Sequence, residues 1–336
     1  MRNANRFWLS LALLITISAA AVSLFAQQNS ESPCLVRKVT VQVEDEFGNP
    51  IPGLTADSFK AAIGEAEIAV RRAVPTHPLS NIVLLLDMSA SRNNTFEIKS
   101  SHLLETEIID QSPQGSRFAI VEFNVDTYID QDFTSDRKLL SEAIQKYTLN
   151  NFRGSSSIYD SLINSIDHIH HLNLSAEDSL IVLITDGEDD SSRNKLDKTE
   201  AILGFSAVRV FAIGTIPFAK ELGSNKIRKL HGVLERLAKA SGGISIWFWD
   251  EDPSKTFRGV RGEYKIEKDF RNIHDIAGEL IHEMAGGYEL EIALPATVAK
   301  SAKWSLEITD PEAKAAHRIT LLFPEVLYPC PNGSKK

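Results

Sequence analysis

Asp87, Ser89 and Ser91 stand at alternate positions in the stretch NIVLLLDMSASRNN, directly after an unbroken aliphatic run. In an extended loop that spacing turns two hydroxyls the same way as the carboxylate and gathers three oxygens. A second acid, Asp186, ends another such run in LIVLITDGEDD, where Gly187 permits a sharp turn. Between them in sequence, NNFRGSSSIYDSL sets small hydroxyl residues immediately before a helix expected to begin near Ile158. Carboxylate and neutral hydroxyl oxygens are the donor set of a hard cation. Mg2+ holds its ligands octahedrally at about 2.0–2.1 Å and keeps water, so a shallow site of this kind leaves an exchangeable position.

The elements that must position these residues are legible as short apolar runs: IVLLLD (82–87), RFAIVEFN (117–124), LIVLIT (180–185), VRVFAIG (208–214) and ISIWFW (244–249). Helical periodicity fills the intervals at about 96–110, 136–147, 158–172, 195–205, 227–240 and 270–284. Unbroken strands separated by helices predict an α/β fold, a doubly wound and mostly parallel sheet with helices on both faces. TYIDQDF (127–133) reads as an antiparallel edge strand. Ligands of such a sheet bind beyond the carboxyl ends of its strands, which is where Asp87 and Asp186 both stand.

Flanking this body, the chain reads as β structure. Valines 39, 41 and 43 recur with period two before the turn residues of EFGNPIPG, and GYELEIALP, AKWSLEITD and HRITLLFPEV follow Gly286. The expected organisation is a β segment at 34–76, the α/β body at 80–285, and a β segment at 286–330 that packs with the first as a small sandwich-like unit. Residues 250–269 form a polar insertion.

Arg2 and Arg6 precede a charge-free apolar stretch from Trp8 to Ala26, the pattern of an export signal cut after Ala26. The protein is therefore expected in the periplasm or outside the cell, or tethered through residues 8–26 if they stay attached. Loss of residues 1–26 takes the basic side chains from 36 to 34 against 45 acidic ones, a net of −11, which disfavours nucleic acid and anionic membrane as partners. Cys34 and Cys330 are the only cysteines and lie near the two ends. An oxidising compartment would join them where the ends meet; two free thiols is the alternative.

DMSAS, GSSSIYD and TDGED, in this order and on these elements, resemble the metal-ion-dependent adhesion site of a von Willebrand factor type A (VWFA) domain, as in integrin I domains. With its flanks, the chain after residue 26 is similar to a family of exported bacterial VWFA-related proteins. The resemblance implies a metal held by Asp87, Ser89, Ser91, Ser156 and Asp186, with Asp160 and Glu188 behind or beside them. It implies Mg2+, or Mn2+ or Ca2+, and a protein partner whose acidic side chain completes the shell. Ser156 occupies the place where the family has threonine, and Ala90 a place where glycine is common. The acids Glu188 to Asp190 are expected to oppose an acidic partner and select its orientation.

Blander readings stand beside these. His168 and His171 share a helical face but have no third ligand, so a polar surface is the default. Trp247 and Trp249 read as core or edge packing. There is no nucleophile elbow, zinc helix or phosphate loop. Besides a metal-dependent binding module without catalysis, the alternatives are a structural cell-envelope component with a degenerate site and a metal-dependent hydrolase.

Overall fold

The computed structural model describes residues 36–92, 95–149, 152–215, 224–248, 270–271, 273–295, 301–316 and 318–328. The export segment, Cys34, Cys330, Trp249 and the 250–269 insertion lie outside the described residues. The chain begins with β1 (Val36–Glu44), β2 (Phe59–Ile63), β3 (Ala66–Ile68) and β4 (Val70–Pro75). Next come β5 (Asn81–Asp87), α1 (Thr95–Gln111), β6 (Arg117–Phe123), β7 (Thr127–Thr134), α2 (Arg137–Leu149), α3 (Ile158–His171) and β8 (Ser179–Thr185). The body continues with α4 (Leu196–Ser206), β9 (Arg209–Thr215), α5 (Ser224–Ser241), β10 (Ser245–Phe248), β11 (Phe270–Arg271) and α6 (Ile273–Glu283). Last come β12 (Tyr288–Ala293), β13 (Ala302–Lys303), β14 (Ser305–Ile308), α7 (Pro311–Ala316), β15 (Thr320–Leu322) and β16 (Val326–Leu327).

The central sheet has seven strands in the order β11-β10-β9-β8-β5-β6-β7. All neighbours are parallel except β6 and β7, so the antiparallel edge strand expected at 127–133 is present. The aliphatic run of β5 is unbroken because both of its faces are covered. Ile82, Leu84 and Leu86 join Leu104 and Ile108 of α1, Leu140 of α2 and Leu280 of α6 in one core. Val83 and Leu85 join Ile158 and Leu162 of α3, Leu203 of α4 and Leu234 of α5 in the other. Period-two side chains feeding two helical layers is what a doubly wound sheet requires. Trp247 is buried in the second core with its ring stacked on His231 at 5.8 Å. His168 is half-buried on α3, stacked on Phe133 at 6.1 Å with its Nε2 3.0 Å from Asp132 Oδ1.

The flanking strands pair with one another. β1 lies between β15 and β12 in a four-stranded antiparallel sheet that ends at β4. β2 pairs with β14 and β3. A third apolar cluster includes Val41, Phe59, Tyr288, Leu290, Trp304 and Leu306. Tyr288 ties the two flanking β segments together, since its hydroxyl donates to Ile51 O at 2.8 Å and accepts from Leu54 N at 3.1 Å.

The β1 strand is also joined to the α/β body. Gln42 hydrogen-bonds the Arg209 guanidinium and donates to His282 O at 3.1 Å. Glu44 is buried beside them, and its Oε1 has no hydrogen-bond partner. Burial pushes its carboxyl up from 4.5 to about 7; Arg209 opposes the shift, while Asp45 and Glu279 add to it. A raised acid favours the folded state while protonated, so this contribution is full below about pH 4.5 and lost as pH rises through about 7. We expect Glu44→Gln to match the parent protein near pH 4 and to be about 2–3 kcal/mol more stable near pH 8, measured by urea unfolding at the two pH values.

Candidate metal centre

β5 and β8 lie side by side in parallel, with Leu86 opposite Ile184, so their carboxyl ends open onto the same edge. From β5 the chain moves to β6 and β7 on one side of the sheet, then returns through α3 to β8 on the other. This is the switch point at which an open α/β sheet forms its binding crevice. Asp87 ends β5, and Asp186 follows the last residue of β8.

Asp87 is fully buried, and Asp186 is 3% exposed. Asp87 Oδ1 accepts the amide of Ser89 at 2.9 Å, which folds the first loop back over the strand end. Its Oδ2 accepts Thr185 Oγ1 at 2.5 Å and Ser156 Oγ at 3.3 Å. One carboxylate therefore gathers the first, middle and third loops. Ser89 and Ser91 bring their hydroxyls to 3.0 Å from each other, Ser89 buried and Ser91 exposed. Asp186 Oδ1 accepts the amide of Glu188 at 2.9 Å across Gly187, whose φ of +83° suits a residue without a Cβ.

Backbone bonds hold the middle loop in place. Arg153 N donates to Met88 O at 2.9 Å, Ala90 N to Gly154 O at 3.0 Å and Ser157 N to Asn124 O at 2.9 Å. Ala90 is not among the non-glycine residues with positive φ, so alanine in a place where glycine is common carries no backbone strain. Ser156 lies on the carboxylate side of this loop, with its hydroxyl turned to Asp87.

The remaining acids serve other ends. Glu188 pairs with Lys226 at 2.7 Å. Asp190 Oδ1 accepts Ser156 N at 2.8 Å, and Asp189 Oδ1 accepts Ile158 N at 3.0 Å and Ser192 Oγ at 2.6 Å. The acidic run is thus also bonded within the molecule, Glu188 to Lys226 and Asp189 and Asp190 to the middle loop and the start of α3. Burial raises the Asp189 carboxyl, with Ser192 and the α3 amides opposing. Asp160 does not reach the cluster. It accepts Arg193 N at 2.9 Å and Asn194 N at 3.0 Å. Burial acts to raise its carboxyl, but these donors outweigh it and leave the group below the ordinary range.

Thr185 is the residue the sequence reading passed over, because a threonine at a strand end looks like ordinary β structure. Its hydroxyl donates to Asp87 and accepts Gly187 N at 3.1 Å, so it couples the two carboxylate-bearing loops. Thr185→Val keeps the shape and removes both bonds. The expected loss is about 1–3 kcal/mol in urea unfolding, with Thr185→Ser retaining most of the stability.

The donor set fits a hard divalent cation. Adjacent oxygens on an octahedral ion with ligands at 2.0–2.1 Å lie about 3 Å apart, and the Ser89 and Ser91 hydroxyls already have that spacing. Among the described residues no three His, Cys, Asp or Glu side chains gather as a metal site. A centre here would rest on hydroxyls joined to two carboxylates. A cleft of about 860 Å³ lies elsewhere, between α4, α5 and the β13–β16 pair, and contains Phe205 and Tyr328. In it Arg236 pairs with Glu200 at 2.6 Å and Asp197 at 2.9 Å.

Residues 81–243 match the von Willebrand factor type A domain. Among curated proteins nothing matches the chain. Among solved structures, a von Willebrand factor type A protein from Catenulispora acidiphila is 11% identical, with 90% of this chain and 74% of that one covered at a TM-score of 0.45. The manganese-loaded TRAP protein of Plasmodium vivax is 14% identical, with 75% and 94% covered at 0.43. The conserved hypothetical protein BatB from Bacteroides thetaiotaomicron is 15% identical, with 52% and 93% covered at 0.40. A doubly wound sheet with hydroxyl and carboxylate loops at its switch point, matched over residues 81–243, makes this chain one that carries a von Willebrand factor type A domain.

Proposed function

We propose that the protein is an exported binding module that captures a protein partner through a divalent cation, Mg2+ by preference, held by Asp87, Ser89, Ser91, Ser156 and Asp186. The observation that carries this reading is the convergence on Asp87: Ser156 Oγ at 3.3 Å, and the Ser89 amide at 2.9 Å with the Ser89 and Ser91 hydroxyls beyond it. A bound hard cation keeps an exchangeable position in its shell, which an acidic group from outside can fill. The chain's own residues do the rest. Asp87 fixes the spacing of the loops, the serines present neutral oxygens, and exposed Ser91 leaves the centre open to a partner. No catalytic step is needed for this role.

The same proposal places the α/β domain at 80–285, flanked by a β unit made of 34–76 and 286–330. It has residues 1–26 directing export to the periplasm or beyond and Cys34 joined to Cys330. The test is capture of acidic peptides by the immobilised protein with Mn2+ or with chelator. Binding is expected only with metal and only by the parent protein, not by Asp87→Ala. Capture that persists in chelator would refute metal-dependent recognition.

A further inference from the structure

The helix that follows the middle loop is capped from outside itself. Ser157, at the N-cap of α3, makes no capping bond with its side chain. Its hydroxyl is turned away, donating to Asn124 O at 2.5 Å and Val125 O at 3.0 Å. The first amides of a helix need acceptors, and here they come from the third loop. Ile158 N donates to Asp189 Oδ1 at 3.0 Å, while Tyr159 N and Asp160 N donate to Ser192 Oγ at 3.1 and 3.2 Å. Ser192 Oγ in turn donates to Asp189 Oδ1 at 2.6 Å.

Bonds also run in the reverse direction. Asp160 accepts the amides of Arg193 and Asn194 and, at 2.6 Å, the side chain of Asn194. On the other flank, Asp190 N and Ser191 N donate to Ser156 O at 3.0 Å each, and Ser156 N returns a bond to Asp190 Oδ1 at 2.8 Å. Residues 156–160 and 189–194 are therefore fastened at both ends, with Ser156 at the end nearest Asp87.

We propose that Asp189 is a positioning residue of the cation site. As a cap supplied across space, it fixes the start of α3 to the third loop and so holds Ser156 Oγ where Asp87 and the cation can use it. The inference rests on the metal-binding reading above and assigns Asp189 no contact with the ion. It also explains how serine can serve at position 156. The methyl group that would restrict a threonine rotamer is absent; backbone bonds to Asp190 and Ser191 fix the residue's backbone, and the bond to Asp87 holds its hydroxyl.

The test compares Asp189→Ala, Asp189→Asn, Ser156→Ala and the double variant Ser156→Ala/Asp189→Ala, using Mn2+ alone as the probe. In the metal-free protein, amide exchange at Ile158 to Asp160 should accelerate roughly tenfold in Asp189→Ala, the scale of a lost cap. Asp189→Asn, which keeps an acceptor oxygen, should restore much of the protection. With Mn2+, Asp189→Ala should weaken binding about 10- to 100-fold, the scale of losing a residue that orients a ligand. Because Asp189 acts through Ser156, the double variant should bind no more weakly than Ser156→Ala. Parent-like affinity in Asp189→Ala, or additive losses in the double variant, would overturn the positioning role while leaving the metal site standing. Absence of Mn2+ binding by the parent protein would overturn both. Should Asp189→Ala fail to fold, Ser192→Ala, which removes the acceptor of the Tyr159 and Asp160 amides, carries the same comparison.

Discussion

Asp87→Ala is expected to abolish saturable Mn2+ binding, a larger loss than the roughly 10- to 100-fold typical of residues that only orient a ligand, while the chain stays folded. The fold should persist because the substitution has two opposing effects. It leaves the Thr185 hydroxyl without its acceptor in a buried place, which costs about 1–3 kcal/mol. It also removes a fully buried carboxylate, whose own desolvation weighs against the metal-free state. Metal dependence of thermal unfolding separates binding from folding. At a Mn2+ concentration 100 times the Kd, a single site adds about 2.7 kcal/mol. For a domain of this size that is a Tm increase of about 5–10 °C. The parent protein should show the increase, and Asp87→Ala should melt at the same temperature with and without Mn2+. An equal increase in the variant would remove Asp87 from the site.

A second large effect is steric and concerns the frame. Gly243 closes the turn from α5 into β10, its amide bonded to Ala238 O at 3.0 Å. A Cβ at this position would lie 2.1 Å from Val210 O and 2.9 Å from Val210 C, both backbone atoms of the central strand β9. A flexible side chain could move aside, but a strand paired on both edges cannot do so without breaking its ladders. Gly243→Ala should therefore destabilise the protein by about 3 kcal/mol, at the upper end of overpacking effects. Gly232, inside α5, provides the control. Its added Cβ would meet nothing within 4 Å, so Gly232→Ala should stabilise by about 0.5–1 kcal/mol through helix propensity alone. Urea unfolding of the two variants should show opposite signs. Equal stability for Gly243→Ala and the parent protein would mean that the α5–β10 turn is not packed as described.

The frame was readable where burial on both faces leaves a continuous trace. The runs at 82–87, 117–124 and 180–185 became β5, β6 and β8 because no solvent face interrupts them. The carboxylates of Asp87 and Asp186 were conspicuous because a charge at the end of such a run has no structural reason to be there. Thr185 was not, since its hydroxyl sits on a residue type that strands favour anyway. The acids of the third loop were visible, but their direction was not. Whether Asp189 faces solvent or the amides of α3 depends on a contact spanning 31 residues, which no local pattern encodes. Asp160 posed the same difficulty: its motif suggested a place behind the metal ligands, and its carboxylate accepts the amides of Arg193 and Asn194.

These bonds give the candidate centre a simple physical logic. Two central strands deliver carboxylates to one edge, Asp87 gathers three loops, and the third loop holds the middle one by its helix. The most direct test of the central claim is calorimetric titration of Mn2+ and Mg2+ into the metal-stripped protein, with Asp87→Ala alongside. The account predicts one saturable site in the parent protein and none in the variant. No binding by the parent protein, or saturable binding that survives in Asp87→Ala, would contradict it.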